Sequence, residues 1–161
     1  MANQQQIEIL KQGVDAWNRW RRENPSEEVD LNELELAGSD LSGADLSRAN
    51  LSGTQLKGAL FSKTDISWAS LAGADLGGAD LSSSDLSGTD LSGATLTEAN
   101  LSEANLSQAV LIDANFIGAN LSQADLSEAD TTGAFFRGAD LKATIISQEQ
   151  LNKARTPDEL P

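Results

Sequence analysis

Ten carboxylates fall on a five-residue grid between positions 40 and 140, and Asp75, Asp80, Asp85 and Asp90 form its longest unbroken run. Side chains of this kind perform acid–base chemistry when one is held protonated in a cleft. They bind calcium when six or more oxygens converge. The words around them argue against a catalytic pair. Asp80 sits in ADLS and Asp85 in SDLS, phrases that recur along the chain. Many Ser residues follow the leucines, but the chain has no His to activate a hydroxyl. It has no Cys either, so thiolate chemistry, disulfides and the commonest zinc ligands are absent together. The residues assign no catalytic, cofactor or metal position, and the chain reads as non-catalytic.

The elements that position these carboxylates follow from a second, stricter pattern. Every fifth residue from Leu41 to Ile146 is Leu, Ile or Phe, with one exception at Thr131. Two residues before each, from position 44 to 144, stands Ala, Ser or Thr, and 16 of those 21 places are Ala. A period of five matches neither a helix at 3.6 nor a strand at 2. As a helix it would wind Leu around the whole surface; as one strand it would throw alternate Leu to opposite sides. The backbone must turn once per repeat. Such a strict period marks a repeat architecture, whose units are stable only when stacked.

The text A(D/N)LSx resembles the pentapeptide repeat proteins, common in bacteria and very abundant in cyanobacteria, over about residues 36 to 147. The resemblance implies an all-β solenoid, a right-handed quadrilateral β-helix of about five to six coils with four pentapeptides per coil. The central Leu or Phe and the small residue two before it point inward. Stacking at intervals of twenty then places Phe116 and Phe136 on one inner wall, one coil apart. It also stacks Asp45, Asp65 and Asp85 in an outer column that does not converge, so a solvated face is expected there and not a calcium site. Thr131 breaks the core and needs a hydroxyl partner, which a cap would supply. Gly43, Gly73 and Gly93 suit corners with positive φ. At Glu103, Gln108 and Glu128 a different turn type is expected.

A solenoid needs caps. Residues about 5 to 23 read as one amphipathic helix ended by Pro25, with Asn18 and Arg22 on its polar side. Ser147 through Gln150 fit a capping box, opening a short helix from Gln148 to about Ala154 that covers the last coil with Leu151. The expected organisation is a single domain: an N-terminal helical cap over 1–30, the β-helix over 31–147, and a C-terminal helix and tail over 148–161.

The formal net charge is -14. Such a surface repels nucleic acid and anionic membranes. The polar N-terminus lacks a secretory h-region and no stretch is long and apolar enough to span a bilayer. A cytoplasmic protein, monomeric or dimeric, with an unknown protein partner is expected. Two functional readings follow. One is a protein-binding or structural module. The alternative is an acidic DNA mimic acting on DNA gyrase or another DNA-binding protein, because the resemblance extends to proteins that protect gyrase in this way. From Thr64 to Phe136 there are eleven acids and no base. At strand spacing that stretch is about 17 Å long, or one charge per about 1.6 Å, against about 1.7 Å for B-DNA. The candidate interaction surface takes Asp75, Asp80, Asp85, Asp90, Glu98 and Glu103 from this stretch. It adds the apolar residues Val110, Ile112, Ile117 and Phe135, which stand at outward positions. The competing expectation is that Phe135 and Ile145 tuck under the C-terminal cap.

Overall fold

Each pentapeptide makes the same three links to its neighbours, and those links define the fold. In the repeat around Leu41, the Leu41 N–H donates to the Leu60 carbonyl at 2.8 Å, and the Gly43 N–H donates to Ser62 at 3.1 Å. The Asp65 N–H donates back to the Ala44 carbonyl at 3.0 Å. Parallel bridges join residues twenty apart, from Asp30 and Asn50 to Asp125 and Ile145. Four bridge columns result, and they form four faces. The computed structural model describes residues 2–155. Within them, each face contributes one bridging residue per coil between tight turns, so no longer strand forms.

The inward positions are filled. Leu46, Leu51, Leu71, Leu86 and Leu106 are fully buried, and the small residue two before each, Ser84 before Leu86 and Ala before the others, leaves room for the side chains sharing the coil. Where Thr replaces that Ala, its hydroxyl is satisfied by backbone: Thr64 donates to the Leu41 carbonyl at 2.9 Å and Thr89 to Ile66 at 2.9 Å. Phe116 and Phe136 stack with centroids 5.3 Å apart. The bridging Asp or Asn accepts the N–H two residues on, as Asp90 does from Ser92 at 2.9 Å and Asn115 from Ile117 at 3.0 Å. That bond holds the chain as it enters each turn, which explains the residue type.

The turns differ from expectation. At five-residue steps from Glu33 to Ala143, every corner residue has φ between 54° and 72°, and twelve of them are not glycine. From Leu36 to Thr144 each turn closes with a fourth-to-first backbone hydrogen bond of 2.9–3.3 Å. Positive φ at the third residue with this bond is the pattern of a type II turn. Glu103, Gln108 and Glu128 therefore adopt the same corner as Gly43, Gly73 and Gly93. A side chain there costs roughly 1–2 kcal/mol in the left-handed region. The Leu burial and ladder bonds on either side override that local preference.

The N-terminal cap is two helices, not the single one expected. The first, α1, spans Gln4–Leu10 and the second, α2, spans Val14–Glu23. Gly13, with φ 103°, breaks them; its N–H donates to the Leu10 carbonyl at 3.0 Å. This is a helix stop written as a glycine. The cap covers part of the first coil with polar groups. Trp17, fully buried, donates from Nε1 to the Asp45 carbonyl at 2.7 Å. Asn18 accepts the Asp45 N–H at 2.8 Å and donates to the Gly43 carbonyl at 2.9 Å. Asn18 thus faces the solenoid and not solvent.

At the other end, α3 spans Gln148–Lys153 with the expected capping box on Ser147 and Gln150. The residue that covers the last coil is Gln150, which is 8% exposed, while Leu151 is half-buried. Gln150 donates from Nε2 to the Leu126 and Ala129 carbonyls at 2.6 and 2.9 Å. Its carbonyl accepts the Thr131 hydroxyl at 2.6 Å, the partner that position required. The expected tail beyond Arg155 lies outside the described residues.

Candidate interaction surface

The four bridge columns assign each candidate residue to a face. The first face carries Asp80, the second Asp85, the third Asp90 and the fourth Asp75. These four carboxylates therefore ring the solenoid, one per face, and do not form a patch. Glu98 and Glu103 stand on successive corners beyond them, where φ is 57° and 59°. The second face is the most uniform, with Asp45, Asp65, Asp85, Asn105 and Asp125 in one column. Asn105 lies between two of these carboxylates and donates from Nδ2 to Asp85 at 3.2 Å. The carboxylates are engaged in their own turns: Asp65 Oδ1 accepts both the Ser67 N–H at 3.0 Å and its hydroxyl at 2.6 Å. On the third face Asp130 takes the Thr132 hydroxyl at 2.6 Å. That bond, with the Thr132 N–H, holds its carboxyl below the ordinary range. Among the described residues no group of acidic side chains is arranged to hold a metal ion.

The apolar candidates divide. Val110 and Ile112 flank Leu111 on the third face, and Ile117 follows Phe116 on the fourth, within the same coil. Ile112 is 36% exposed, and Val110 and Ile117 are half-buried. Phe135 does not join them at the surface. It is buried, with the Arg155 guanidinium 5.0 Å above its ring. Arg155 in turn reaches Asp113 at 3.1 Å. The cap claims Phe135 but not Ile145, which remains 58% exposed on the second face.

A further feature escapes a linear reading. Arg21, Arg22, Arg48 and Trp68 line one cleft of about 540 Å³ where α2 ends against the second face. Twenty-seven residues separate Arg21 from Arg48, and only the cap's docking joins them. The twenty-residue register was the available signal, since it stacks Arg48 and Trp68 on one corner.

The model of pentapeptide repeats matches in eight copies over residues 27–62, 59–97, 89–127 and 119–155. The chain belongs to the pentapeptide repeat family. As members of this family do, it folds as a right-handed quadrilateral β-helix, with short helices at both ends. Solved pentapeptide repeat proteins are similar to it. HetL of the cyanobacterium Nostoc sp. strain PCC 7120, described as involved in heterocyst differentiation regulation, is 34% identical. The match covers 82% of this chain and 74% of HetL, with a TM-score of 0.46. A pentapeptide repeat protein of the cyanobacterium Cyanothece 51142 is 28% identical, with 81% of this chain and 97% of that one covered and a TM-score of 0.52. One from the Arabidopsis thaliana thylakoid lumen is 31% identical, covering 74% and 72%, with a TM-score of 0.38. Among curated proteins no sequence matches. No helix among the described residues is long and apolar enough to cross a membrane.

Proposed function

We propose that this pentapeptide repeat protein is a non-catalytic protein-binding module. The observation that carries the reading is the coil holding Val110, Ile112 and Ile117. Val110 stands where the neighbouring coils place Asp90 and Asp130, Ile112 where they place Ser92 and Thr132, and Ile117 where they place Thr97 and Arg137. Large aliphatic residues held out from a rigid wall bury readily against a complementary surface. A filled interior directs binding to the outside, since the inward Leu and Ala leave no room for a ligand. The proposed compartment is the cytoplasm, and the proposed state is a monomer, with a dimer as the alternative that sedimentation distinguishes. Affinity capture from the native cell tests the reading. Partners retained by the native chain should be lost from the Ile112→Ser, Ile117→Ser double variant. Identical capture by both removes this coil as the binding surface.

The base-free stretch from Thr64 to Phe136 favours a second reading, the acidic DNA mimic. Its carboxylates are spread over all four faces, as phosphates are spread around a duplex. A gyrase supercoiling assay discriminates: inhibition at micromolar protein supports mimicry, and full supercoiling at high micromolar protein ends it for gyrase.

A further inference from the structure

We infer that the cleft between α2 and the second face binds a short carboxylate-rich segment of a partner protein. The inference rests on the reading of the chain as a protein-binding module and gives it a second surface. Three of the eleven basic residues line this one cleft, in a chain of net charge -14. Arg21 is nine-tenths buried there, and its Nη2 donates to the Ser47 carbonyl at 3.0 Å. Its buried Nε makes no hydrogen bond, with the Asp45 carboxylate 3.6 Å away. The Arg22 and Arg48 side chains are exposed, and neither guanidinium has an ion pair or hydrogen bond among the described residues.

Trp68 supplies a fixed apolar wall. It is 59% exposed, yet its ring lies against Gly88, at the same corner one coil on. A Cβ at Gly88 would stand 2.5 Å from that ring, so only glycine admits it. Guanidinium groups pair with carboxylates through two parallel hydrogen bonds. Trp and Arg are also the residue types that concentrate binding energy at protein interfaces. Asp65 lines the cleft, and Asp85 and Asp125 continue its column. A long polyanion such as nucleic acid would run onto these charges, whereas a segment with two or three carboxylates can pair with Arg22 and Arg48, the Asp45 carboxylate lying beside the Arg21 guanidinium and Asp65 accepting the Ser67 hydroxyl.

The test titrates triglutamate, blocked at both ends, into the purified full-length chain and follows tryptophan emission, with Trp68→Phe identifying the responding ring. Saturable binding is expected, weakening as salt rises. It should be about tenfold weaker in Arg48→Gln, which removes a charge-assisted hydrogen bond. It should be unchanged in Arg137→Gln, which lies near the other end of the solenoid. Non-specific electrostatics oppose triglutamate on so acidic a protein, so saturation points to the cleft. Equal affinity in Arg48→Gln, or no saturation at about 1 mM, overturns the inference. Tighter binding of trithymidylate overturns it in favour of nucleic acid. If triglutamate fails while cellular partners are still captured through Ile112, the cleft alone is wrong. If both fail, the protein-binding reading falls with it.

Discussion

The middle of the solenoid and its two ends satisfy the same backbone groups by different means. In the middle, each coil's N–H and carbonyl groups meet those of the next, as Leu86 meets Asn105 at 2.7 Å. At the ends there is no next coil, and side-chain amides stand in for it. Gln6 donates to the Glu28 carbonyl at 2.6 Å and accepts the Asp30 N–H at 2.9 Å. Asn18 makes the same pair of bonds at Asp45 and Gly43, and Gln150 closes the last coil. An amide side chain carries the donor and acceptor of a peptide group, so it is the natural substitute for a missing rung. The middle is thus specified by a period and the ends by single residues.

Variants at the two kinds of site should separate cleanly. The largest effect is expected in the middle. Leu86→Ala leaves a cavity among closely packed walls and should cost about 2–5 kcal/mol in urea unfolding. Next comes Gln150→Leu, which strips the Leu126 and Ala129 carbonyls of their donor. It should cost about 1–3 kcal/mol, with hydrogen exchange rising in the last coil while residues 66–106 keep their protection. If exchange rises throughout, the caps are not separate from the repeats. Gly93→Ala places a side chain at positive φ and should lower stability by about 1 kcal/mol. Thr132→Ala is the smallest. Asp130 is depressed in the folded state, so its contribution is present above the unfolded carboxyl value of about 3.9 and lost as pH falls through the folded one. Thr132→Ala should shrink that acid-side loss, read as a flatter melting temperature between pH 5 and 3.

The repeats were legible because the central Leu and the small residue two before it keep one role in one register. The corners were misread at Glu103, Gln108 and Glu128, where glycine preference is a local signal and closure of the square is a global demand. The helix break at Gly13 was legible in principle, as a glycine stop inside an amphipathic stripe. The cap bonds were not. Gln6, Asn18 and Trp17 pair with backbone 22 to 28 residues away, and no pattern marks which polar residue will do so. Asp75, Asp80, Asp85 and Asp90 are close in sequence, but five residues is one quarter of a coil. Val110 and Ile112 were read correctly as neighbours because they flank one Leu.

That same quarter makes the solenoid a dial. Inserting one pentapeptide between Leu96 and Leu101 keeps every downstream Leu facing inward, yet rotates everything beyond it by one face. Val110 and Ile112 would move from the third face to the fourth while the cleft at Arg48 stays in place. The angle between the two proposed surfaces is therefore set by chain length alone, in steps of a right angle, and returns to its starting value after twenty residues.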